Sequence, residues 1–322
     1  MRKFPKPNIV VSKCLEFADC RYDGSRIPDK FVRDLKPFVR FNKVCPEVAI
    51  GLSVPREPIK ILSSNKKNRL VQQTTGKDFT GRMQKFAAKF AGSLENIDGF
   101  ILKGRSPSCG IKDVKIKSGR DGKITVGKGS GMFGGYMVGK FPDLAVEDEG
   151  RLSNFKIREH FLTRIFIFAA FREVFKSKKI AKLVKFQADN KLLLMAYNQK
   201  QLRILGRITA NHEKHDIERV MSDYRENLYN AFKRLPRFTS NINVLMHALG
   251  YFSKKLSREE KQYFLELLEN YRKGQLPLSA LSGIIRVWII KYKNEYLADQ
   301  TFFEPYPVDL VLITDSGKGR DY

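Results

Sequence analysis

Hydrophobic positions in the first 150 residues occur in short runs separated by glycine and proline, a pattern typical of strands. The run Asn8-Ile-Val-Val-Ser12 predicts a buried strand, and residues 38–44, 59–62 and 99–103 predict three more. Apolar residues at helical spacing predict an amphipathic helix over residues 78–95. The pattern indicates an α/β fold for this part of the chain.

Glycine and acidic residues then interrupt the pattern. The glycine-rich stretch 127–135 predicts a loop ahead of a short helix over residues 132–141, and it lacks the ending of a phosphate-binding loop. Residues 142–153 are acidic and turn-like, which predicts a linker. We therefore predict a first domain over residues 1–150 and a second over residues 151–322.

From residue 154 onward the hydrophobic period becomes helical. Phenylalanines at positions 155, 161, 168 and 175 mark a first long helix. Ser257 and Glu260 form the sequence pattern of a capping box at the start of another helix. The second domain is predicted to be all-α, with further helices over residues 191–196, 217–235, 241–252, 257–271 and 278–292.

Positive charge covers both predicted domains. The chain has 60 Lys and Arg against 34 Asp and Glu, a net charge of +26, and each of residues 1–150 and 151–322 contributes +13. With 42% hydrophobic residues the chain has enough apolar material for a core, so the charge does not indicate disorder. A field of this kind favours polyanions, and nucleic acid is the expected partner class.

The N-terminal residues contain no apolar stretch long enough for a signal peptide, and no run of eighteen apolar residues occurs in the chain. We therefore expect a cytoplasmic protein. In a reducing compartment thiols stay free, which favours metal binding or catalysis over disulfide pairing for the cysteines.

All four cysteines lie in the first third of the chain, at positions 14, 20, 45 and 109. Spacings of this size do not fit a zinc finger or ribbon, whose ligands come in close pairs. Cys14, Cys45 and Cys109 each follow a predicted strand. Because ligands of α/β sheets bind at the carboxyl ends of the strands, we expect these three thiols to converge at one edge of a sheet.

Several phrases around the cysteines resemble those of a known family. Ser12-Lys-Cys-Leu15, Cys45-Pro-Glu47 and Ser106-Pro-Ser-Cys-Gly110 are similar to the thiouracil desulfidase (TudS-type) domain. Phrases of the second half, such as Asn243-Val-Leu-Met-His247 and Pro305-Tyr-Pro307, resemble the YbgA-type helical domain. The order of the two domains is similar to that of RudS-type tRNA 4-thiouridine desulfidases.

The resemblance implies a 4Fe-4S cluster bound by Cys14, Cys45 and Cys109, with one iron lacking a protein ligand. Cys20 is interpreted as a nearby free thiol and remains a candidate fourth ligand, which would close the cluster. Thiolates are suitable ligands for iron–sulfur clusters, and an open iron is a soft Lewis acid for a thiocarbonyl sulfur.

The mechanistic hypothesis is a non-redox desulfuration of thiolated uracil. The open iron binds the thiocarbonyl sulfur, water adds to the ring carbon, and the sulfur leaves as hydrosulfide. Glu47 is the candidate general base. Ser106 is the candidate that positions the water or the base, and Ser108 is the second candidate. Residues 21–23 either shape the pocket or form a turn.

The basic helical domain is expected to bind the phosphate backbone of tRNA, while the modified base leaves its stack to reach the cluster. The predicted substrate is 4-thiouridine in tRNA. Two alternatives stay open: desulfuration of free thiouracil, for which the helical domain is not needed, and a nucleic-acid-binding protein in which the cluster is structural.

Overall fold

The computed structural model describes residues 2–64, 67–72, 74–118 and 124–312. Contacts divide the chain into two compact units. The first unit is Lys3–Ala169 with residues 306–312 of the described part, and the helical unit is mainly Ala170–Pro305. The division falls inside one long helix, Phe155–Ser177. The domain boundary between residues 150 and 151 stays a prediction, and residues 313–322 of that second domain lie outside the described part.

Strands in the described part of the first unit form two four-stranded sheets. The strands are β1 (Asn8–Ser12), β2 (Arg40–Val44), β3 (Ile59–Ser64), β4 (Lys67–Gln72), β5 (Gly99–Leu102), β6 (Val114–Ser118), β7 (Ile124–Gly129) and β8 (Ala145–Asp148). The first sheet has the order β2-β1-β5-β8 and is parallel throughout. The second has the order β4-β3-β6-β7 and is mixed. The first unit is therefore α/β, as predicted.

The four predicted strands are present as β1, β2, β3 and β5, although β3 belongs to the mixed sheet. Two predictions were wrong. Residues 145–148 of the predicted linker form β8, an edge strand that pairs with β5 from Gly99↔Ala145 to Leu102↔Asp148. Residues 127–129 of the predicted glycine-rich loop lie in β7, which pairs with β6. Both segments are polar because they lie at sheet edges, so neither shows the apolar run of an interior strand.

Apolar side chains cover both faces of the parallel sheet. Alternate residues of a strand point to opposite faces, so Val10 packs into one hydrophobic cluster with Met83, while Ile9 packs into another with Ile101 and Phe161. These side chains are at most 1% exposed, and burial of one such side chain contributes about 1.5–3 kcal/mol. The sheet is thus a rigid base for the loops at its ends.

Five α-helices begin in the described part of the first unit. They are α1 (Lys30–Leu35), α2 (Pro46–Ala49), α3 (Thr80–Gly92), α4 (Met132–Lys140) and α5 (Phe155–Ser177). The helices α3 and α4 confirm the two helices predicted for the first half.

The described part of the helical unit contains α-helices and short 3-10 turns. The remaining helices are α6 (Ile180–Asp189), α7 (Lys191–Tyr197), α8 (Gln199–Ala210), α9 (Ile217–Ala231), α10 (Phe238–Gly250), α11 (Arg258–Arg272), α12 (Leu278–Lys291) and α13 (Glu295–Ala298). The capping box of Ser257 and Glu260 is confirmed at the start of α11. No helix among the described residues combines the length and the apolar character needed to cross a membrane.

Two helices that the sequence pattern did not predict, α6 and α8, lie beside each other. Asn residues set both ends of α8: the Asn198 side chain accepts a hydrogen bond from the backbone N–H of Gln201, and Asn211 ends the helix in the left-handed conformation, with φ 44°. Asn tolerates this conformation better than most residues. Lys200, Arg203 and Arg207 of α8 are exposed.

Candidate active site

Cysteines lie at the carboxyl ends of three adjacent strands of the parallel sheet. Cys14 comes two residues after β1, Cys45 directly follows β2, and Cys109 lies in the turns after β5. The strand β1 pairs in parallel with β2 on one side and with β5 on the other. The parallel order therefore brings the three thiols to one edge of the sheet, as the strand pattern predicted.

Cys20 joins them from the loop between β1 and α1. Its side chain hydrogen-bonds with the thiols of Cys14 and Cys45, and Cys45 Sγ lies 3.8 Å from the carbonyl oxygen of Cys20. Cys109 is close enough to Cys20 and Cys45 to interact with them electrostatically. All four cysteines are free. We call Cys14, Cys20, Cys45 and Cys109 the thiol cluster.

The surroundings of Cys20, Cys45 and Cys109 favour the protonated thiol. The hydrogen bond with Cys14 is the main cause that raises the pKa of Cys20 to about 11. The hydrogen bond with Cys20, followed by burial, raises the pKa of Cys45, and burial raises the pKa of Cys109. Because the thiolate is the ligand form of cysteine, a metal that binds here releases these protons.

Glu47 lies beside the thiol cluster with both carboxylate oxygens fixed. The Ser108 hydroxyl donates to Oε1 at 2.9 Å. Arg56 donates to Oε2 from Nε at 2.9 Å and from Nη2 at 2.6 Å. The Arg56 side chain is 4% exposed and the Glu47 side chain 13%. Such a buried pair holds the carboxylate in one orientation, since loss of either partner would leave the other charge unpaired.

Arg56 also contacts the thiol cluster: its Nη2 donates to the carbonyl oxygen of Cys20 at 3.1 Å. Sequence reasoning did not identify Arg56 as a site residue, although it ends the phrase Gly51-Leu-Ser-Val-Pro-Arg56. The spacing of nine residues from Glu47 is not a helical or strand period, so no periodic pattern marks the pair. One side chain thus ties the candidate base to a cysteine.

The two candidate serines have different contacts. Ser106 Oγ accepts hydrogen bonds from the backbone N–H groups of Ser108 and Cys109, at 3.3 and 3.1 Å. The Ser108 side chain, which is fully buried, faces Glu47. Ser106 therefore stabilises the turn that presents Cys109, and Ser108 positions the carboxylate. A role of Ser106 toward water stays a prediction.

The glycine-rich segment before α4 packs directly on this turn. The backbone N–H of Gly131 donates to the carbonyl of Gly110 at 2.7 Å, and the N–H of Gly134 donates to the carbonyl of Ser108 at 2.9 Å. A Cβ atom at Gly134 would lie 2.2 Å from the Cys109 carbonyl oxygen. Glycine at position 134 is therefore required for the close approach that holds the Cys109 turn.

Glu149, directly after β8, adds a second partly buried carboxylate at this edge of the sheet. Glu149 Oε2 accepts from the backbone N–H of Gly104 at 2.7 Å, and Oε1 forms an ion pair with Lys103. The Lys103 backbone N–H donates to Ser12 Oγ at 2.9 Å. These contacts fix the start of the loop that leads to Cys109, and they were missed because β8 was interpreted as a linker.

Residues 21–23 mainly stabilise their own loop. Arg21 Nη1 lies 3.1 Å from Ser25 Oγ and 3.5 Å from Asp23. The Tyr22 side chain is 43% exposed. Its carbonyl accepts from the backbone N–H of Arg56 at 2.8 Å. The turn interpretation accounts for these contacts.

Comparison with known proteins identifies the family of the first unit. The family model described as 2-thiouracil desulfurase matches residues 9–149. The uncharacterized protein YbbK of Bacillus subtilis (strain 168) is 35% identical over 109 residues, which cover 32% of this chain and 72% of that protein. The chain belongs to the 2-thiouracil desulfurase family. Its first unit is thus the domain of a desulfurating enzyme, and the thiol cluster and Glu47 lie within the matched residues of this desulfurase.

The second half of the desulfurase matches other proteins. The family model described as a protein of unknown function (DUF1722) covers residues 191–307. The uncharacterized protein YbgA of Escherichia coli (strain K12) is 29% identical over 126 residues, which cover 39% of this chain and 75% of that protein.

A solved structure of the 4Fe-4S-dependent thiouracil desulfidase TudS is 28% identical to this chain, with a TM-score of 0.35. The match covers 46% of this chain and 93% of the TudS chain.

Proposed function

We propose that this desulfurase converts 4-thiouridine in tRNA to uridine and releases hydrosulfide. The observation that supports the proposal most is the thiol cluster beside Glu47, within the residues matched by the 2-thiouracil desulfurase family. The reaction is a hydrolysis in which the oxygen of water replaces the thiocarbonyl sulfur. The sulfur leaves at the oxidation level it already has, so no electron donor or acceptor takes part.

Three residues of the thiol cluster, Cys14, Cys45 and Cys109, are proposed to hold a 4Fe-4S cluster. The donor set fits, since thiolates are the usual ligands of such clusters and three strand ends deliver them together. No group of Cys, His, Asp or Glu within the described ranges has the arrangement of a single-ion site. A multi-iron cluster needs a different arrangement, because each of its cysteines binds a different iron. When bound, the cluster supplies a soft Lewis-acidic iron for the thiocarbonyl sulfur.

Glu47 is proposed as the general base that removes a proton from the attacking water at Oε1. A carboxylate oxygen has two lone pairs, so Oε1 can accept from water while it accepts from Ser108. Arg56 holds Oε2 and keeps the carboxylate oriented. A base in this position contributes typically about 10²–10⁴-fold to the rate. Ser106 acts in this proposal through the turn that carries Cys109.

The helical unit is proposed to bind the phosphate backbone of the tRNA. Lys200, Arg203 and Arg207 lie three and four residues apart on α8, so they share one face of the helix. All three are exposed, and none forms an ion pair with a carboxylate among the described residues. We call these three residues the α8 stripe. Exposed cations of this kind are typical phosphate contacts.

The proposal is tested with protein whose cluster is reconstituted without oxygen. The protein is incubated with bulk tRNA that contains 4-thiouridine or with free 4-thiouracil, and the absorbance of the thiocarbonyl band is followed. We expect the band of the tRNA to disappear and hydrosulfide to form in equal amount. If only free 4-thiouracil reacts, the substrate is the free base. If neither reacts while tRNA binds, the protein is a binding protein and the proposed activity is wrong.

A further inference from the structure

Cys20 is buried, although among the described residues it is a member of neither hydrophobic cluster that covers the parallel sheet. Its exposure is 7%, close to the 6% of Cys109. Cys109 belongs to one of the two hydrophobic clusters that cover the parallel sheet, and Cys14 packs against the other. The Cys20 thiol hydrogen-bonds with the thiols of Cys14 and Cys45, and Cys45 Sγ lies 3.8 Å from the carbonyl oxygen of Cys20.

The loop that carries Cys20 is closed at its base and held at its middle by one residue. At the base, the backbone N–H of Ile27 donates to the carbonyl of Cys14 at 2.8 Å. At the middle, Arg56 contacts the carbonyl of Cys20 through Nη2 at 3.1 Å and the carbonyl of Tyr22 through its backbone N–H at 2.8 Å. The loop thus places the Cys20 thiol against the other thiols by specific contacts.

The other three cysteines lie next to a strand end or in a turn that is held by backbone hydrogen bonds. Cys14 and Cys45 are within two residues of β1 and β2. The turn of Cys109 is held by Ser106 and by the backbone of Gly131 and Gly134. Cys20 lies eight residues after the end of β1, in the loop between β1 and α1, and its carbonyl is held by Arg56.

We infer that Cys20 binds the fourth iron when no substrate is present, and that the thiocarbonyl sulfur of the substrate displaces it. The inference rests on the proposed function, since it needs the 4Fe-4S cluster on Cys14, Cys45 and Cys109. In the exchange the iron–sulfur bond to Cys20 breaks, and the thiolate keeps both electrons and takes a proton from solvent. The thiocarbonyl sulfur donates an electron pair to the same iron, whose oxidation state does not change.

This arrangement protects the cluster at rest. An iron without a protein ligand is the one that a 4Fe-4S cluster loses first on oxidation, which leaves a 3Fe-4S cluster with its own electron paramagnetic resonance signal. A fourth thiolate slows that loss. Arg56 then links substrate binding to the base, because the same Nη2 contacts the carbonyl of Cys20 and Oε2 of Glu47.

The test compares reconstituted wild-type protein with Cys20→Ala, Cys20→Ser and a control, Ser25→Ala. Ser25 lies in the same loop and contacts Arg21 and Asp23, so its change tests whether a loosened loop has the same effect. Iron and sulfide per chain are measured first, and circular dichroism checks the fold. The samples are then oxidised mildly, and the 3Fe-4S signal is followed with time, without RNA present.

We expect all four proteins to assemble a cluster. The two Cys20 variants should develop the 3Fe-4S signal about tenfold faster or more, a change of the size produced by loss of contacts that support a metal, while Ser25→Ala behaves like wild type. Addition of 4-thiouridine should make wild type develop the signal faster, because the neutral thiocarbonyl sulfur that replaces Cys20 is a weaker ligand of the iron than a thiolate. Equal rates in wild type and Cys20→Ala would overturn the inference and leave the proposed function intact. Failure of wild type to assemble any cluster would overturn both.

Discussion

The first unit and the helical unit are both rich in Lys and Arg but differ in how these cations are placed. In the first unit, Arg56 and Lys103 are at most a quarter exposed and are paired with Glu47 and Glu149 at the edge of the parallel sheet. On α8 of the helical unit, the three cations of the α8 stripe are exposed and form no ion pair with the carboxylates that the structure describes.

The difference separates two uses of positive charge. A buried cation paired with a carboxylate fixes that carboxylate, because an unpaired buried charge is costly. An exposed cation remains hydrated and contributes to binding a polyanion through counterion release. Changes in the first unit should therefore affect the reaction on every substrate, and changes on α8 should affect only the polymeric one. The predictions below test this division.

The largest effect is expected from Cys45→Ala. Cys45 follows β2 directly and is a proposed cluster ligand, so its loss should prevent cluster assembly and reduce turnover of both tRNA and free 4-thiouracil to background. Iron content and the thiocarbonyl absorbance measure the two effects. Normal turnover of either substrate by Cys45→Ala would show that this cysteine is not a cluster ligand. It would also contradict the prediction that changes in the first unit affect the reaction on every substrate.

The next effect is expected from Glu47→Gln, which keeps the shape of the side chain and removes its basicity. We expect kcat to fall about 10²–10⁴-fold on both substrates, with unchanged iron content and unchanged binding of tRNA. Glu57→Gln is the matched control, since Glu57 is an exposed carboxylate in the same segment. Equal kcat values for Glu47→Gln and wild type would remove Glu47 from the mechanism.

Replacement of the α8 stripe by alanine should change only the reaction with tRNA. The slope of log Kd for tRNA against log salt should decrease in magnitude by about 3, roughly 1 for each phosphate contact, while turnover of free 4-thiouracil stays the same. A control triple at Lys254, Arg258 and Lys273 removes the same charge from other exposed positions of the helical unit. If both triple variants change the slope equally, the RNA is bound by the overall positive charge of the protein and not specifically by the α8 stripe.

The smallest effect is expected on stability, from a change at Glu16. This carboxylate is intermediate between the two cases, because it is largely shielded from solvent but is paired with the exposed cations Arg33 and Lys36. Its side chain is 9% exposed, against 57% for Arg33. The hydrogen bond from Arg33 is the main cause that lowers the pKa of Glu16 from 4.5 to about 2. Because this carboxyl is more acidic in the folded state, its contribution to stability is present above pH 4.5 and is lost as the pH falls toward 2.

Glu16→Gln should therefore lower the free energy of unfolding at pH 7 and should reduce its decline between pH 5 and pH 2. Urea unfolding at several pH values measures both. A variant whose stability falls with acid as steeply as that of wild type would show that Arg33 does not hold the Glu16 carboxylate.

Sequence patterns predicted the part of the site that depends on strands. The apolar runs of β1, β2 and β5 and the rule for parallel sheets were enough to bring Cys14, Cys45 and Cys109 to one edge. The pairing of Arg56 with Glu47, and of Ser108 rather than Ser106 with the same carboxylate, follows from loop conformations that have no period. Likewise β8 is a short edge strand with two carboxylates, so its composition matches a linker as well as a strand.

The chemistry of the site is tested most directly in water enriched in oxygen-18. Thiolated tRNA is incubated with the reconstituted enzyme, digested to nucleosides and analysed by mass spectrometry. The account predicts that 4-thiouridine is replaced by uridine that carries one oxygen-18 atom, with one hydrosulfide released for each. Unchanged 4-thiouridine, or loss of 4-thiouridine without an equal amount of labelled uridine, would contradict hydrolysis at this site.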